Sequence, residues 1–181
     1  MKYPLHVIAL VLFSAGAAQA AGPTAEGKAA YVQAKDQAAA TYKVAKAQCD
    51  AIAGNPKDVC VAEARAARIR TEQEAEAYYR NTLKAYTQAR MKIADAVYAR
   101  DKVKCDALTG NDKDVCRSQA KATLVATQAD AKADKKAIEA RTDAREDKRD
   151  AEYKVAKEKC EAFAGGAKDN CMAMAKSQYG K

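Results

Sequence analysis

The sequence is poor in the residues that most enzymes and thick globular cores use. It has no tryptophan, two phenylalanines, one histidine, three prolines and eight glycines in 181 residues. The aromatic content of 6% argues against a large core, and the scarcity of glycine and proline excludes collagen-like and Gly/Pro-rich disordered chains. About a quarter of the residues are alanine and 31% are charged, a balance that favours long helices.

The N-terminal residues have the pattern of a secretory signal peptide. Lys2 supplies a positive charge, an apolar run covers residues 7–13, and a small-x-small cleavage site ends at Ala20. The apolar run is too short to span a bilayer. We therefore expect a signal peptide at residues 1–20 and an exported mature chain at residues 21–181. Loss of Lys2 lowers the formal net charge from +8 to +7.

Removal of this segment takes away His6, the single histidine, and leaves Ser118 and Ser177 as the remaining serines. A Ser-His or Cys-His nucleophile pair then becomes impossible. The sequence has no P-loop and no G-x-G-x-x-G, and its cysteine spacings are not those of a C-x₂-C zinc site. We predict a protein that is not an enzyme, with no catalytic residue, cofactor, metal ion or small-molecule substrate.

One block of nineteen residues recurs three times, at offsets of 56 and 55 residues. Tyrosine, two cysteines, glycine and Lys-Asp keep their order in every copy. The copies are YKVAKAQCDAIAGNPKDVC from Tyr42 to Cys60, YARDKVKCDALTGNDKDVC from Tyr98 to Cys116, and YKVAKEKCEAFAGGAKDNC from Tyr153 to Cys171.

Each copy contains the signals that end one helix and begin the next. Gly54 and Gly110 suit the left-handed position after a helix, and Asn55 and Asn111 suit the N-cap of the following helix. The predicted turns lie near residues 54–55, 110–111 and 165–166. Since the intervening segments lack glycine and proline, we predict helices at about 24–53, 56–109, 112–164 and 167–178.

The predicted fold is all-α, a single elongated helical-repeat domain over residues 21–181. About four helices would form long, coiled-coil-like antiparallel hairpins. A long helix over 56–109 would place the Gly54 and Gly165 turns at one end and extend a two-helix arm toward Gly110. We expect residues 87–133 of this arm to have the least cover and to form the binding region.

The cysteines of each copy lie on either side of its predicted turn, with ten residues between them. Antiparallel helices bring such positions face to face, and an exported chain meets an oxidising compartment where disulfides persist. We predict that the bonds are structural rather than redox-active. The predicted pairs are Cys49–Cys60, Cys105–Cys116 and Cys160–Cys171.

Three-four spacing of apolar residues predicts how the helices pack. The predicted seam of the first helix comprises Tyr31, Ala38, Tyr42, Ala45, Cys49 and Ile52, and that of the second comprises Tyr79, Leu83, Tyr86, Ile93 and Val97. The third helix has a stripe of alanines instead. We expect Ala137 and Ala140 on this stripe to pack against residues 79–86, with Ala131 away from the contact.

Charge is sorted along the third predicted helix. In residues 139–150 the basic side chains gather on one side of the helix and the acidic side chains on the other. This pattern has two interpretations, a solvated helix or a pair of charged flanks that fix register against a partner helix. Residues 82–104, with six basic and two acidic residues, could instead contact anionic lipid or nucleic acid.

The Ala/Lys/Asp-rich helices, the signal peptide and the repeated YKVAKxxC(D/E)A…G…KD(V/N)C block resemble small exported helical-repeat proteins of Gram-negative bacteria, often labelled TolA-like cell-envelope proteins. The resemblance runs from Tyr42 to about Lys176. It implies a periplasmic, non-enzymatic interaction or scaffold protein, with protection under envelope stress as one form of that role. Its expected partner is a protein or a second copy, met through helix faces. The alternative is an electrostatic binder of anionic envelope polymer or nucleic acid.

Overall fold

A computed structural model describes residues 24–181 of the chain, and the predicted signal peptide lies outside these residues. The described part folds into five α-helices, which confirms the all-α fold class. The helices are α1 (Ala25–Cys49), α2 (Gly54–Arg80), α3 (Leu83–Cys105), α4 (Gly110–Cys160) and α5 (Gly165–Tyr179).

The helices follow one another as an antiparallel series. Within residues 24–181, each helix makes close backbone contacts only with its neighbours in sequence, so α3 lies between α2 and α4. Helix α4 has 51 residues, which corresponds to about 75 Å at 1.5 Å per residue. It therefore extends well past α3, and α5 packs along its far end.

The prediction of one helix over residues 56–109 is wrong, because the chain reverses at Asn81 and Thr82. Asn81 adopts the left-handed conformation, with φ 44° and ψ 43°, and its N–H donates to the carbonyl of Ala77 at 2.9 Å. The Thr82 hydroxyl then accepts a hydrogen bond from the Ala85 N–H at 3.1 Å, which caps α3. Asparagine tolerates this conformation better than most residues, and threonine is a good N-cap, so two consecutive residues make a helical hairpin without glycine.

This reversal changes the layout of the molecule. The Gly54 and Gly110 turns lie at the same end, because the start of α2 meets the end of α3. The Asn55 side-chain amide donates to the Val103 carbonyl at 2.9 Å, and Lys104 pairs with Glu63 at 2.7 Å. The predicted two-helix arm toward Gly110 is therefore wrong.

The three repeated turns share one geometry. The preceding helices end at Cys49, Cys105 and Cys160, and Gly54, Gly110 and Gly165 follow with φ of 65°, 55° and 56°. The left-handed glycines are thus found as predicted, although each begins the next helix instead of directly following the last. The N-cap prediction for Asn55 and Asn111 is wrong, because the capping positions belong to Ala53 and Thr109 and neither makes a side-chain capping bond.

Alanine dominates the contacts among the helices. Helix α3 buries residues on two sides, against α2 and α4, namely Ala85, Thr87, Ala89, Ala94 and Ala96. Helix α4 meets α3 through Leu124 and Ala131, which are 7% and 1% exposed. The small alanine side chains let the helix axes approach closely.

The predicted alanine stripe of the third helix is wrong in position. Ala137 and Ala140 are exposed, whereas Ala131 is buried. The reason is the reversal at Asn81. Because α3 begins only at Leu83, residues 79–82 do not lie along α4 as the predicted contact requires. Of the predicted first seam, Ala38 and Cys49 are buried and Ile52 is 42% exposed.

Candidate interaction groove

Three disulfides join the ends of successive helices, and they are the pairs that the repeated spacing predicts. The bonds are Cys49–Cys60, Cys105–Cys116 and Cys160–Cys171, with Cα–Cα distances of 5.7, 5.7 and 5.5 Å. The first cysteine of each pair is buried, and the described residues contain no free cysteine. Each bond closes a short loop at a turn and is the kind of cross-link that persists in an oxidising compartment.

An ion pair accompanies each disulfide. It joins the acidic residue directly after the first cysteine to the lysine seven residues later, across the turn. The three pairs are Asp50–Lys57 at 2.9 Å, Asp106–Lys113 at 3.0 Å and Glu161–Lys168 at 2.6 Å. The lysine of the recurring Lys-Asp dipeptide therefore forms the ion pair at each turn, a role that sequence reasoning missed.

Hydrogen bonds to these lysines lower the pKa of the aspartates. Lys57 lowers the pKa of Asp50, and Lys113 together with Arg117 lowers that of Asp106. At the far end, Lys181 lowers the pKa of Asp150 in the same way. The side chains of the two turn pairs, Asp50–Lys57 and Asp106–Lys113, are solvent-accessible, so these pairs contribute little to stability.

An open groove of about 530 Å³ lies along α3, with walls from α2 and α4. We call it the α3 groove. Its lining is mainly apolar and aromatic. The side chains that form it include Ala77 and Tyr78 of α2, Tyr86, Ile93, Val97 and Tyr98 of α3, and Ala120, Thr123, Leu124 and Thr127 of α4.

The α3 groove contains the large side chains that the sequence predicts for the second seam. Tyr86, Ile93 and Val97 were expected to pack against the third helix, but alanines fill that contact and these three residues face the groove. Tyr79 leaves the seam altogether and stacks on Tyr31 of α1, with ring centroids 5.3 Å apart. The result is an apolar stripe of α3 without a covering helix.

Charged residues lie along the rim of the groove. Arg70 and Glu74 face each other on α2 at 3.6 Å, and Arg90 pairs with Asp134 of α4 at 2.6 Å. Tyr78 also lines the groove and is 78% exposed. An apolar floor with a charged rim and accessible tyrosines is typical of a surface that receives a helix.

A second notable feature is the middle of α4, residues 135–149, which we call the free span. Asp134 binds Arg90 of α3 at one end, and Asp150 binds Lys181 at the other. Every side-chain hydrogen bond and ion pair of the free span is internal to α4, and none of its residues is buried. This segment, and not residues 87–133, is the least covered part of the helical array, so the expectation that residues 87–133 have the least cover is wrong. That those residues form the binding region stays a prediction.

Three of the six basic residues in 82–104 form ion pairs. Arg90 pairs with Asp134, Arg100 with Asp101 at 2.7 Å, and Lys104 with Glu63. Lys102 lies over the ring of Tyr98 at 4.7 Å. These contacts reduce the number of cations in the segment that are free to bind a polyanion.

Residues 24–181 contain no group of three or more His, Cys, Asp or Glu side chains placed to bind a metal ion. No helix in this part of the chain is long and apolar enough to cross a membrane.

Comparisons with known proteins add no family assignment: the sequence matches no family model, and it has no significant match to a curated protein or to a solved structure.

Proposed function

We propose that this chain is a non-enzymatic helical interaction protein of the cell envelope, exported to the periplasm, where it holds a partner helix in the α3 groove. The observation that carries the proposal is the uncovered stripe of Tyr86, Ile93 and Val97 between the walls of α2 and α4. Burial of such side chains is favourable by roughly 25 cal/mol per Å² of apolar surface. A helix laid along α3 would supply that burial.

The disulfides support the periplasmic part of the proposal. Bonds of this type persist in oxidising compartments, and the predicted signal peptide at residues 1–20 would deliver the chain to one. A scaffold with a disulfide at every repeated turn keeps its binding surface ordered while the partner changes. Such a scaffold suits an envelope role, including protection under stress.

A photo-crosslinker at Tyr86, in the chain exported by its native host, tests the proposal. We expect captured protein to survive a wash at about 0.5 M salt, where electrostatic contacts are screened within a few ångströms. Tyr78→Glu should abolish the capture, since it places a charge in the groove. Val44→Glu, at a 61% exposed position on α1, is the matched control and should capture as well as the wild type. Equal capture by both variants would rule out the groove.

The alternative, an electrostatic binder of anionic polymer, draws on the free span. Within residues 24–181, Arg141, Arg145 and Lys148 form no ion pair. Contacts of these side chains with phosphate would weaken steeply as salt rises. A partner that salt alone elutes, and that Tyr78→Glu leaves in place, would favour this second function.

A further inference from the structure

Two features of the described chain lack a partner, and they adjoin. The α3 groove has an apolar floor without a covering helix, and no residue of the free span of α4 is buried. The two are close in length. The floor from Tyr86 to Asp101 covers about 22 Å of helix, and residues 135–149 cover about 21 Å.

The groove and the free span also face the same direction. Ala120, Thr123 and Thr127 form the α4 wall of the groove. Eighteen residues, which is five turns of an α-helix, separate them from Ile138, Arg141 and Arg145. Those three residues, together with Ala144 and Lys148, line a shallow depression on the free span. A surface that carries both halves of a contact on one side can pair with a copy of itself about a two-fold axis.

The tyrosines of the chain indicate which side chains of a partner would fit the groove. Eight tyrosines lie in the described part, and six of them either pack against another tyrosine ring or lie beneath a lysine or arginine. Tyr78 and Tyr86 do neither, and both line the groove. The unmatched rings and the unmatched cations of the free span are complementary, since a guanidinium is attracted to the face of a tyrosine ring.

The charge sorting of the free span fits the same contact. Ile138, 44% exposed, supplies an apolar side chain to the floor, and Arg141 and Arg145 flank it on the same side. The acidic residues of the span lie away from this side, where they stay in water. Arginine and tyrosine are also enriched where protein interfaces carry most of their binding energy.

From these relations we infer that two copies of this chain pair antiparallel, with the free span of each lying in the α3 groove of the other, Ile138 on the apolar floor and Arg141 and Arg145 at the rings of Tyr78 and Tyr86. The inference rests on the proposed function and names its partner. Each contact occurs twice in such a dimer, which doubles the surface that one groove alone would bury.

Sedimentation of the full exported, oxidised chain over a range of concentrations tests the pairing. We expect a monomer–dimer equilibrium that Arg145→Glu weakens about tenfold or more, the loss typical of a central interface side chain. Lys136→Glu makes the same charge change nine residues away, on the opposite side of the span, and should leave the equilibrium unchanged. Tyr78→Ala should weaken it to a similar extent, with Val44→Ala as its neutral control.

A second measurement does not depend on the variants folding. A photo-crosslinker at Arg145, in a mixture of ¹⁴N- and ¹⁵N-labelled chains, should join that position to residues 70–101 of the other copy. A chain that stays monomeric throughout, a dimer that both Arg145→Glu and Tyr78→Ala leave intact, or crosslinks to α1 instead would each overturn the inference. Should the chain be monomeric while Tyr78→Glu still abolishes capture of a different protein, the groove function stands and only the identity of its partner changes.

Discussion

The side-chain amide of Asn55 donates a hydrogen bond to the carbonyl oxygen of Val103, 48 residues further along the chain. This contact fastens the start of α2 to the end of α3 and holds two of the repeated turns together. Asn111 occupies the same place in the second repeat, but its side chain makes no such bond within the described residues. Equivalent residues of the repeats therefore have different structural roles.

The first prediction compares these two asparagines. Asn55→Ala should lower the free energy of unfolding by about 1 kcal/mol, the usual net contribution of one partly buried hydrogen bond. Asn111→Ala should change it by only a few tenths, because the side chain has no partner to lose. Urea denaturation of both variants measures the difference. Equal losses would mean that the Asn55–Val103 bond contributes nothing to stability.

A second prediction concerns the reversal between α2 and α3. Asn81→Gly should preserve stability within a few tenths of a kcal/mol, because glycine adopts a positive φ without strain. Asn81→Ala should cost about 1–2 kcal/mol, since a left-handed alanine brings its Cβ too close to the following carbonyl. Thermal unfolding monitored by circular dichroism gives both values. A stabilised Asn81→Ala variant would indicate that the chain prefers one continuous helix here.

The third prediction addresses packing along α4. Ala131→Leu should cost about 1–3 kcal/mol, because this alanine is 1% exposed against α3 and has no room for three more carbons. Ala137→Leu and Ala140→Leu should have little effect on an exposed helix surface, since leucine is nearly as good a helix former as alanine. The melting temperatures of the three variants test this prediction. Lower values for Ala137→Leu and Ala140→Leu than for Ala131→Leu would support the packing expected from the sequence.

A fourth prediction follows from the turn ion pair of Asp50 and Lys57. The pair lowers the folded-state pKa of Asp50 below its unfolded value, so its stabilisation is present above the ordinary aspartate pKa and is lost as pH falls through the folded pKa. Lys57→Gln should return the pKa of Asp50 to the ordinary range in a ¹³C-carboxyl NMR titration. The stability gap between this variant and the wild type should close between about pH 5 and pH 2. A gap that persists in acid would assign the effect to something other than the ion pair.

The sequence predicts those parts of the fold that its repeated residues specify. Three glycines at fixed offsets, each followed by a cysteine six residues later, determine the turns and the disulfides, and the helix lengths follow wherever no other break intervenes. Asn81 and Thr82 escaped prediction because asparagine adopts the left-handed conformation only some of the time, and the flanking residues are good helix formers.

The groove could not be predicted from periodicity. Apolar spacing identifies Tyr86, Ile93 and Val97 as one side of a helix, but it does not indicate whether another helix covers that side. That side stays uncovered because α2 and α4 pack against two other sides of α3, which are rich in alanine. The same ambiguity explains why the alanine stripe was placed at Ala137 and Ala140 and not at Ala131.

The bare middle of α4 has a consequence for how the ends of the molecule communicate. In the described chain, α5 makes close backbone contacts with α4 alone, so the hairpin of α5 and the end of α4 is joined to the rest only by residues 135–149. Stability in arrays of this kind is approximately a sum of nearest-neighbour terms, and a lone helical segment adds little cooperativity. The two ends then form separate foldons, each with its own opening equilibrium. In a single copy of the chain, a ligand that tightens the α1–α3 end would leave hydrogen exchange in α5 unchanged.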